Sequence, residues 1–418
     1  MNGSTLQMQR RAMNNPRLPL SNIRIADFGW MIAGPLATRV FANFGAEVIR
    51  IESGSRIDEI RVVGARPEGI ESPNVAGVFN DINTSKLSMT LDLNTDEGLS
   101  LAKNVIEISD VVTNNFRGDR MGKWGLDYDN LKKIKPDIIA LSMPMMGSDG
   151  PHQDYGGNGI NIIAGAGISS ITGYPDKAPV GTGSLYPDFS GNPNHASIAL
   201  LAAIRYRNRT GKGQFIDLAQ YESTVSLLGT SILEYTANGK LPDRPGNRSQ
   251  NMAPHNVYRC KGMDRWCAIA VSTEEEWQNL KKGLGELEWM NQPKFANFNQ
   301  RKANEEELDE GISNWTSDKD AYEVMNLLQS HGVPAGVVQD TEDLLKRDKS
   351  FTDTHVIDMP HPEIDSMKVH GETISMSGVT PKVDRAPLLG EHTEYILGDL
   401  LGVAESKIDD LYVSGVLK

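Results

Sequence analysis

Asp188 carries the clearest chemical signal in the chain, because a carboxylate placed between a glycine-rich loop and a helix can act as a nucleophile. The loop at 181–184 allows backbone to approach a ligand closely. The alanine-rich segment 192–207 has helical periodicity, so its free N–H groups and positive dipole would lie near the charge. An aspartate before such a segment is also a common helix cap. The local sequence leaves the nucleophile and the cap as alternatives.

The first half of the chain alternates strand and helix patterns, which predicts an α/β fold with a mostly parallel, doubly wound sheet. Strands are predicted over 23–28 and 47–52, and the helix between them opens at Gly34 and Pro35. The other predicted elements are helices over 96–109 and 128–133 and strands over 110–114, 137–142 and 214–218. Asp188 lies in the long connection before the last of these strands.

The pattern changes beyond residue 238, which predicts a second, smaller domain. Residues 239–256 are polar and contain proline and glycine, as linkers and long loops do. A strand over 266–271 and helices over 274–284 and 318–331 follow, and strands are predicted again over 366–377. The expected division is a large Rossmann-like domain from 18–225 and 345–418, a linker with a small α+β domain over 226–344, and a flexible N-terminal extension over 1–17.

Composition excludes several classes of function. The chain of 418 residues has 55 acidic and 42 basic residues and a formal net charge of −13, so no broad basic surface for nucleic acid is expected. No apolar run could span a membrane, and none follows Arg10 and Arg11 as an export signal requires. Cys260 and Cys267 lack the spacing and histidine partners of a zinc site. Reduced cysteines, no metal and a cytoplasmic enzyme are therefore predicted.

The segment after the first predicted strand does not fit a dinucleotide site. Residues 30–35 read WMIAGP, without the G-x-G-x-x-G pattern that brings backbone against a pyrophosphate. The chain also lacks a phosphate-binding G-x-x-x-x-G-K-[ST] loop, a G-x-S-x-G nucleophile turn and an H-E-x-x-H metal pair. Dinucleotide binding is therefore unsupported.

Short motifs along nearly the whole chain resemble those of the family III CoA-transferases, which also include formyl-CoA transferase, carnitine CoA-transferase and the α-methylacyl-CoA racemases. The motifs are AGP at 33–35, FGAEVIRIE at 44–52, TSK at 84–86, LDL at 91–93, NFR at 115–117, GLDY at 125–128, GP at 150–151, PDF at 187–189, RTGKGQ at 209–214, GVPAG at 332–336 and RAPLLGEHT at 385–393. Their order makes the resemblance specific. It implies a Rossmann-like large domain built from both ends of the chain, a smaller inserted domain, and two chains interlinked like rings. The second chain would be an identical copy or a paralogous subunit.

The resemblance also implies a chemistry. The family aspartate that matches Asp188 is the nucleophile, which implies attack on an acyl-CoA thioester, an aspartyl anhydride and then an aspartyl-CoA thioester. Coenzyme A would be a substrate, and no permanently bound cofactor is implied. The positions that match the family's CoA contacts are Ile32, Ala33, Lys86, Asn115, Phe116 and Lys123.

Two alternative functions belong to the same family. A racemase of this family would pair its aspartate with a histidine at the position of Asn158, and an amide cannot abstract a proton. A non-catalytic subunit of a hetero-oligomer would not need the aspartate, so the presence of Asp188 argues against that role. The sequence therefore favours the transferase.

The wording of the motifs is closest to the succinyl-CoA:benzylsuccinate branch. That resemblance implies succinyl-CoA as the donor and benzylsuccinate or another aryl or dicarboxylic acid as the acceptor. Met143, Met145 and Met146 would offer an adaptable apolar wall to an aromatic acyl group, unless they are ordinary core residues. The distal carboxylate of a succinyl group needs a cation, for which Arg248 is a candidate.

Overall fold

A six-stranded, fully parallel sheet lies at the centre of the larger unit of the protein. The computed structural model describes residues 18–418, and the predicted extension over 1–17 lies outside the described residues. The strands, in chain order, are β1 (Arg24–Asp27), β2 (Glu47–Glu52), β3 (Leu87–Thr90), β4 (Val111–Asn114), β5 (Ile139–Ser142) and β6 (Phe215–Asp217). Their spatial order is β3-β2-β1-β4-β5-β6, and each neighbouring pair is parallel.

This order confirms the α/β prediction with a parallel sheet and predicts where a ligand would bind. The order reverses between β1 and β4, whose carboxyl ends form the crevice in which doubly wound sheets hold ligands. Among the strands, β3 has no counterpart in the sequence-based prediction. Its Ser88 and Thr90 hydroxyls are buried and donate to Glu52 and to the Leu417 carbonyl. These polar residues interrupt the apolar run that is typical of a buried parallel strand.

Helices cover both faces of the sheet. Those that precede the smaller unit's sheet are α1 (Ala33–Asn43), α2 (Gly77–Ile82), α3 (Asp96–Glu107), α4 (Arg120–Lys123), α5 (Tyr128–Ile134), α6 (Gly159–Gly165), α7 (Asn192–Thr210), α8 (Gln220–Val225) and α9 (Gly229–Asn238). On one face, α1 and α7 pack Phe41 and Leu200 against the strands. On the other face, Val105 of α3 packs with Ile396 from the C-terminal segment. No helix within residues 18–418 has both the length and the apolar character that a membrane span needs.

The chain divides into two compact units whose boundaries differ from the predicted ones. The described residues of the larger unit are 18–169, Gly181–Leu241 and Thr354–Lys418, and the smaller unit consists of Ser170–Val180 and Pro242–Asp353. The segment Ser170–Val180 belongs to the smaller unit because Arg244 donates to the Ser170, Tyr174 and Lys177 carbonyls at 3.3–3.4 Å. A long-range side-chain contact of this kind leaves no local sequence signal.

The smaller unit has an α+β architecture. Its antiparallel sheet contains β7 (His255–Arg259), β8 (Trp266–Ala270) and β9 (Ala335–Val337), in that spatial order. The next helices in the chain are α10 (Glu274–Gly283), α11 (Phe298–Ala303), α12 (Glu305–Thr316), α13 (Ala321–Ser330), α14 (Thr341–Lys346) and α15 (Lys349–His355). Buried side chains of Trp277, Leu308 and Leu328 form its core with the sheet.

The C-terminal part of the larger unit begins with an antiparallel hairpin of β10 (Val356–His361) and β11 (Ile364–His370). The strands predicted over 366–377 are therefore displaced, and only an isolated bridge between Met376 and Val379 follows β11. The remaining helices are α16 (Thr393–Tyr395) and α17 (Glu405–Val413).

Candidate active site

Asp188 lies in a π-helical turn, Pro187–Gly191, that runs directly into α7. Only 8% of the residue is exposed, although the preceding loop at 181–184 is exposed. Its backbone N–H donates to the Leu185 carbonyl at 2.9 Å. Neither the turn nor α7 has a side-chain cap, so the interpretation of Asp188 as the cap of its own helix is wrong.

The Asp188 carboxylate instead meets the start of a different helix. Its Oδ2 accepts the backbone N–H of Gly159, the first residue of α6, at 3.1 Å. Asn158 caps α6, because its Oδ1 accepts the Ile160 N–H at 3.1 Å and its own N–H donates to Asn161 Oδ1 at 3.1 Å. Among the free N–H groups in the first turn of α6, the one that binds the Asp188 carboxylate is therefore that of Gly159.

Residue 159 must be glycine for this approach. A Cβ added to Gly159 would lie 2.5 Å from Oδ2 and 3.1 Å from Cγ of Asp188, too close for any side chain. Neither α6 nor Gly159 was among the predicted elements and site residues. Asn158 followed three residues later by Asn161 is the sequence signal that would indicate the helix start.

A side-chain amide completes the surroundings of the carboxylate. Asn192, in the first turn of α7, lies beside Asp188 and favours the ionised form of its carboxylate, lowering its pKa. Its Nδ2 also donates to Gln220 Oε1 at 3.2 Å, and Gln220 Nε2 donates to the Met143 carbonyl at 2.7 Å. Asn192 and Gln220 are both buried, at 0% and 7% exposure. Neither residue belongs to a motif that would mark it as a site residue, although the spacing of four from Asp188 places Asn192 one helical turn away.

Burial raises the pKa of Asp188 to about 6, and the hydrogen bonds from Gly159 and Asn192 only partly oppose this effect. No charged group of the described chain is among the causes of the shift. The carboxylate is therefore ionised at neutral pH but more basic than an ordinary aspartate. A buried, basic carboxylate held by neutral donors is suited to nucleophilic attack.

The nucleophile that the family resemblance implies must be ionised, so we expect kcat/KM to fall below about pH 6, where Asp188 becomes protonated. The substitution Asn192→Leu should move this acidic limb to higher pH, since it removes a donor that favours the ionised form. A pH profile of both proteins checks the expectation. An acidic limb near the ordinary aspartate range, unchanged in the variant, would contradict it.

The predicted CoA contacts at the helix opening gather around the crevice between β1 and β4. Ile32 immediately precedes α1 and Ala33 begins it, and both side chains are buried. Asn115 follows β4 and joins the two strands, because its Nδ2 donates to the Trp30 carbonyl and its Oδ1 accepts the Trp30 N–H, both at 2.8 Å. An amide bridge therefore joins the chain after β4 to the loop after β1.

Phe116 forms part of an aromatic row at the same crevice. Its ring meets Trp30 edge to face at a centroid distance of 6.2 Å and Trp124 at 5.7 Å. Arg120 lies over the Trp124 ring at 5.7 Å, and the exposed Lys123 precedes Trp124 at the end of α4. Aromatic faces next to exposed cations are suited to a nucleotide with phosphates.

Lys86 is an internal residue, which corrects its predicted contact with CoA. Its side chain is 0% exposed, and Nζ lies 3.1 Å from Asp27 Oδ2 and from Asn83 Oδ1. Nζ also donates to the Pro35 carbonyl at 2.7 Å and to Thr38 Oγ1 at 2.8 Å. Burial lowers the pKa of Lys86 to about 8, against the attraction of Asp27. With its donors occupied, Lys86 ties the end of β1 to α1 instead of binding a phosphate.

We expect Lys86→Met to lower the free energy of unfolding by about 3 to 5 kcal/mol, because it leaves the buried Asp27 carboxylate without its cation. The matched control is Lys123→Met at the exposed lysine, which should change stability by less than about 0.5 kcal/mol and raise KM for acyl-CoA. Urea unfolding of both variants measures the difference. Equal stabilities would contradict the assignment of Lys86.

The loop after β1 is fixed by further buried polar groups. The Gly29 N–H donates to Asp27 Oδ1 at 2.8 Å, and Arg50 donates to the Gly29 carbonyl at 2.9 Å. Met31 has a positive φ of 59°, and its N–H donates to Asp58 Oδ2 at 3.1 Å. Arg50 also forms an ion pair with Asp58. The loop that faces the crevice is therefore held by residues from several elements.

Two other residues named from the sequence have contacts that do not involve Asp188. Met143 is 1% exposed and belongs to the core on the α1 and α7 face, so it is not part of an open apolar wall. Arg248 belongs to the smaller unit, where its Nε lies 3.8 Å from Glu305 and its Nη2 lies 3.7 Å from Glu306.

Comparison with known proteins gives the family. The sequence model of CoA-transferase family III matches residues 20–393. Succinyl-CoA--D-citramalate CoA-transferase of Chloroflexus aurantiacus is 31% identical over 406 residues, which cover 96% of this chain and 99% of that protein. The beta subunit of succinyl-CoA--L-malate CoA-transferase of the same organism is 30% identical over 406 residues, covering 94% and 97%.

A solved structure agrees with this result. The crystal structure of a CaiB/BaiF family protein from Brucella suis is similar to this chain with a TM-score of 0.83 and 30% identity, covering 91% of this chain and 99% of that one. The fold, with its parallel six-stranded sheet, is therefore shared with a member of the family. The family match extends over most of the chain, including Asp188 and the crevice between β1 and β4. The protein is accordingly a CoA-transferase that belongs to family III.

Proposed function

We propose that this enzyme moves CoA from succinyl-CoA to a short dicarboxylic acid, with Asp188 as the covalent nucleophile. The observation that carries the proposal is the buried Asp188 carboxylate, held at 3.1 Å by the Gly159 N–H and free of any cation in the described chain. An ionised carboxylate needs no general base to attack a thioester. The relatives at about 30% identity named above act on succinyl-CoA and dicarboxylic acids, which supports the substrate class.

The reaction follows from exchange between bonds of similar energy. Asp188 attacks the thioester carbonyl of the donor, which forms an aspartyl anhydride and releases CoA thiolate. The thiolate attacks the aspartyl carbonyl, which gives an aspartyl-CoA thioester and the free donor acid. The acceptor carboxylate then repeats these two steps in reverse order. The active site must exclude water from the anhydride and stabilise the tetrahedral oxyanions.

Coenzyme A is expected at the crevice between β1 and β4. Ile32 and Ala33 supply the start of α1, and Asn115 holds the loop beside it. The Phe116 ring and the exposed Lys123 would receive the nucleotide and its phosphates. This arrangement retains five of the predicted contacts and excludes Lys86, whose amino group is used internally.

The acceptor is proposed to be an aliphatic dicarboxylic acid. D-citramalate and L-malate, the acids in the relatives' names, are both of this class. The expected methionine wall for an aromatic group loses Met143 to the core. Benzylsuccinate, which the motif resemblance implies, is therefore a less favoured acceptor and serves as the aromatic substrate for comparison.

A donor and acceptor panel tests the proposal. The purified enzyme is incubated with succinyl-CoA and D-citramalate, L-malate, glutarate or benzylsuccinate, and the CoA products are identified by mass spectrometry. We expect a new dicarboxylyl-CoA, together with an Asp188–CoA adduct in digests of enzyme treated with succinyl-CoA alone. Products without any adduct on Asp188, or hydrolysis of every donor, would overturn the proposal.

The racemase alternative has little support at this site. Asn158, which stands where a racemase of this family would have its histidine, is occupied as the cap of α6. An amide engaged in capping can neither accept nor deliver the α-proton. Incubation of the enzyme with a 2-methyl-branched acyl-CoA in deuterated water tests this point, because a racemase would exchange the α-hydrogen with deuterium from the solvent.

We also propose that the enzyme assembles as an interlinked dimer, with an identical or a paralogous chain. Helix α9 has no buried residue, and its Ile232, Leu233 and Tyr235 are 47%, 63% and 55% exposed. An apolar helix surface of this kind usually contacts a partner. Light scattering of the chain expressed alone should give twice the mass of one chain if the partner is an identical copy, and a monomer would contradict the homodimer.

A further inference from the structure

We propose that Gly159 and Asn192 bind the oxyanion that forms when the Asp188 carbonyl is itself attacked, and that Gln220 is the positioning residue that holds Asn192 for this task. The inference rests on the proposed function, because it requires covalent intermediates on Asp188. In those intermediates the aspartate changes from nucleophile to electrophile. Gly159 and Asn192 therefore face a carboxylate oxygen when Asp188 attacks and a carbonyl oxygen when Asp188 is attacked.

The geometry distinguishes the two carboxylate oxygens of Asp188. Oδ2 already accepts the Gly159 N–H at 3.1 Å, and the missing Cβ of Gly159 lets the backbone reach it. An oxygen engaged in this way is a poorer nucleophile than its partner. We assign Oδ1 to the bond with the acyl group and Oδ2 to the carbonyl of the anhydride and the thioester. Gly159 then faces the oxygen on which negative charge develops.

The orientation of Asn192 is fixed by a chain of neutral groups. The Met143 carbonyl can only accept, so Gln220 must direct Nε2 toward it and Oε1 toward Asn192. Nδ2 of Asn192 therefore faces Gln220 and Asp188. A flipped amide would place its Oδ1 against Gln220 Oε1 and against the carboxylate, two repulsive acceptor pairs.

The cost of this orientation is visible in the structure. Oδ1 of Asn192 is buried and has no hydrogen-bond partner among the described residues. An unsatisfied buried acceptor is unfavourable, so the contacts of Nδ2 must outweigh it. The orientation of Asn192 therefore keeps Nδ2 available to Asp188 and leaves Oδ1 without a hydrogen bond.

The step can be written with its electrons balanced. The CoA thiolate forms a bond to Cγ of the acylated Asp188, and the carbonyl electron pair moves onto Oδ2, where Gly159 and Asn192 donate. Collapse of this oxyanion breaks the bond from Cγ to the acyl-bearing oxygen and releases succinate. No proton is transferred. Attack by the acceptor carboxylate on the aspartyl-CoA thioester uses the same oxyanion and expels CoA thiolate.

The test isolates this step with succinyl-CoA and no acceptor. The rate of appearance of the Asp188–CoA adduct is followed by rapid quench and intact-protein mass spectrometry. We expect roughly a 100-fold slower adduct formation in Asn192→Leu, because one oxyanion donor is lost. Gln220→Met, which keeps the size of the side chain, should slow it about tenfold or more by displacing Asn192.

A second readout separates positioning from general damage. An anhydride that CoA thiolate captures slowly is open to hydrolysis, so both variants should release more free CoA per adduct formed. A merely structural defect would lower adduct and free CoA together. Asn194→Leu, at an exposed asparagine in the same turn of α7, is the matched control and should behave as wild type.

The outcomes are distinct from those that test the proposed function. The inference would be overturned if both variants formed the adduct at the wild-type rate and released the wild-type amount of free CoA per adduct. Asp188 would still be the nucleophile in that case. An equal fall of adduct and free CoA would also overturn it. Absence of any adduct on wild-type Asp188 would instead refute the proposed function. If Asn192→Leu fails to fold, Gln220→Met carries the test.

Discussion

Replacing Asp188 with asparagine is expected to lower kcat for CoA transfer by roughly 10⁴-fold or more, because the amide cannot form the anhydride. The side chain keeps its shape and can still accept the Gly159 N–H, so substrate binding should remain. Steady-state assays and acyl-CoA binding by calorimetry measure the two properties separately. A variant with appreciable transfer activity would show that another group is the nucleophile.

The same substitution should make the protein more stable at neutral pH. Burial raises the pKa of Asp188 from 3.8 to about 6, so the folded state binds the proton more tightly than the unfolded chain. The stability of the wild type therefore falls as the pH rises from about 4 to about 6, and stays lowered above that range. Asp188→Asn removes this penalty, which is about 3 kcal/mol for a pKa raised from 3.8 to about 6. Thermal unfolding should show the gain at pH 7 and little difference at pH 3.5 or below, where a persistent difference would contradict the mechanism.

Gly159→Ala is expected to lower kcat by about 100-fold, since its Cβ would lie 2.5 Å from Oδ2 and must displace the Asp188 carboxylate. The backbone of Gly159 does not have a positive φ, so alanine is compatible with the helix. Stability should change by less than about 1 kcal/mol, because alanine also favours helix formation. Kinetics and urea unfolding of the same preparation give both quantities.

The matched control is Gly229→Ala. Gly229 also begins a helix, α9, and nothing lies within 4 Å of the Cβ that would be added there. This variant should keep full activity, since its Cβ would meet neither Asp188 nor Leu185, the two residues that a Cβ at Gly159 would crowd. Similar losses in both variants would indicate a general effect on folding, and full activity of Gly159→Ala would show that the approach of Gly159 to Oδ2 is not needed.

Most of the sheet could be predicted from local sequence, whereas the local signal at Asp188 leaves a nucleophile and a helix cap as alternatives, and the nucleophile is implied only by the family resemblance. Alternation of apolar residues marks the strands, and the junction before α7 marks Asp188. Gly159 and Gln220 carry no such signal. Their roles depend on the fold, which brings the start of α6 to the Asp188 carboxylate from 29 residues earlier and the start of α8 to Asn192 from 28 residues later.

Lys86 shows that a residue with a clear sequence motif can still be assigned the wrong role. A lysine in a family motif is readily interpreted as a phosphate contact, whereas its partner Asp27 lies 59 residues earlier in the chain. Only the parallel register of β1, β2 and β3 brings the two side chains together beneath α1. A motif match can therefore identify a position that matters without identifying what the residue does there.

The anchored loop after β1 has a consequence for how acyl-CoA binds. Its backbone is hydrogen-bonded to Asp27, Arg50, Asp58 and Asn115, so we expect little conformational entropy to be lost from this loop when CoA binds. Affinity at this crevice should therefore depend on contacts made rather than on ordering of the chain. The association rate should approach that of a rigid, preorganised site, with no slow phase from loop closure on this side.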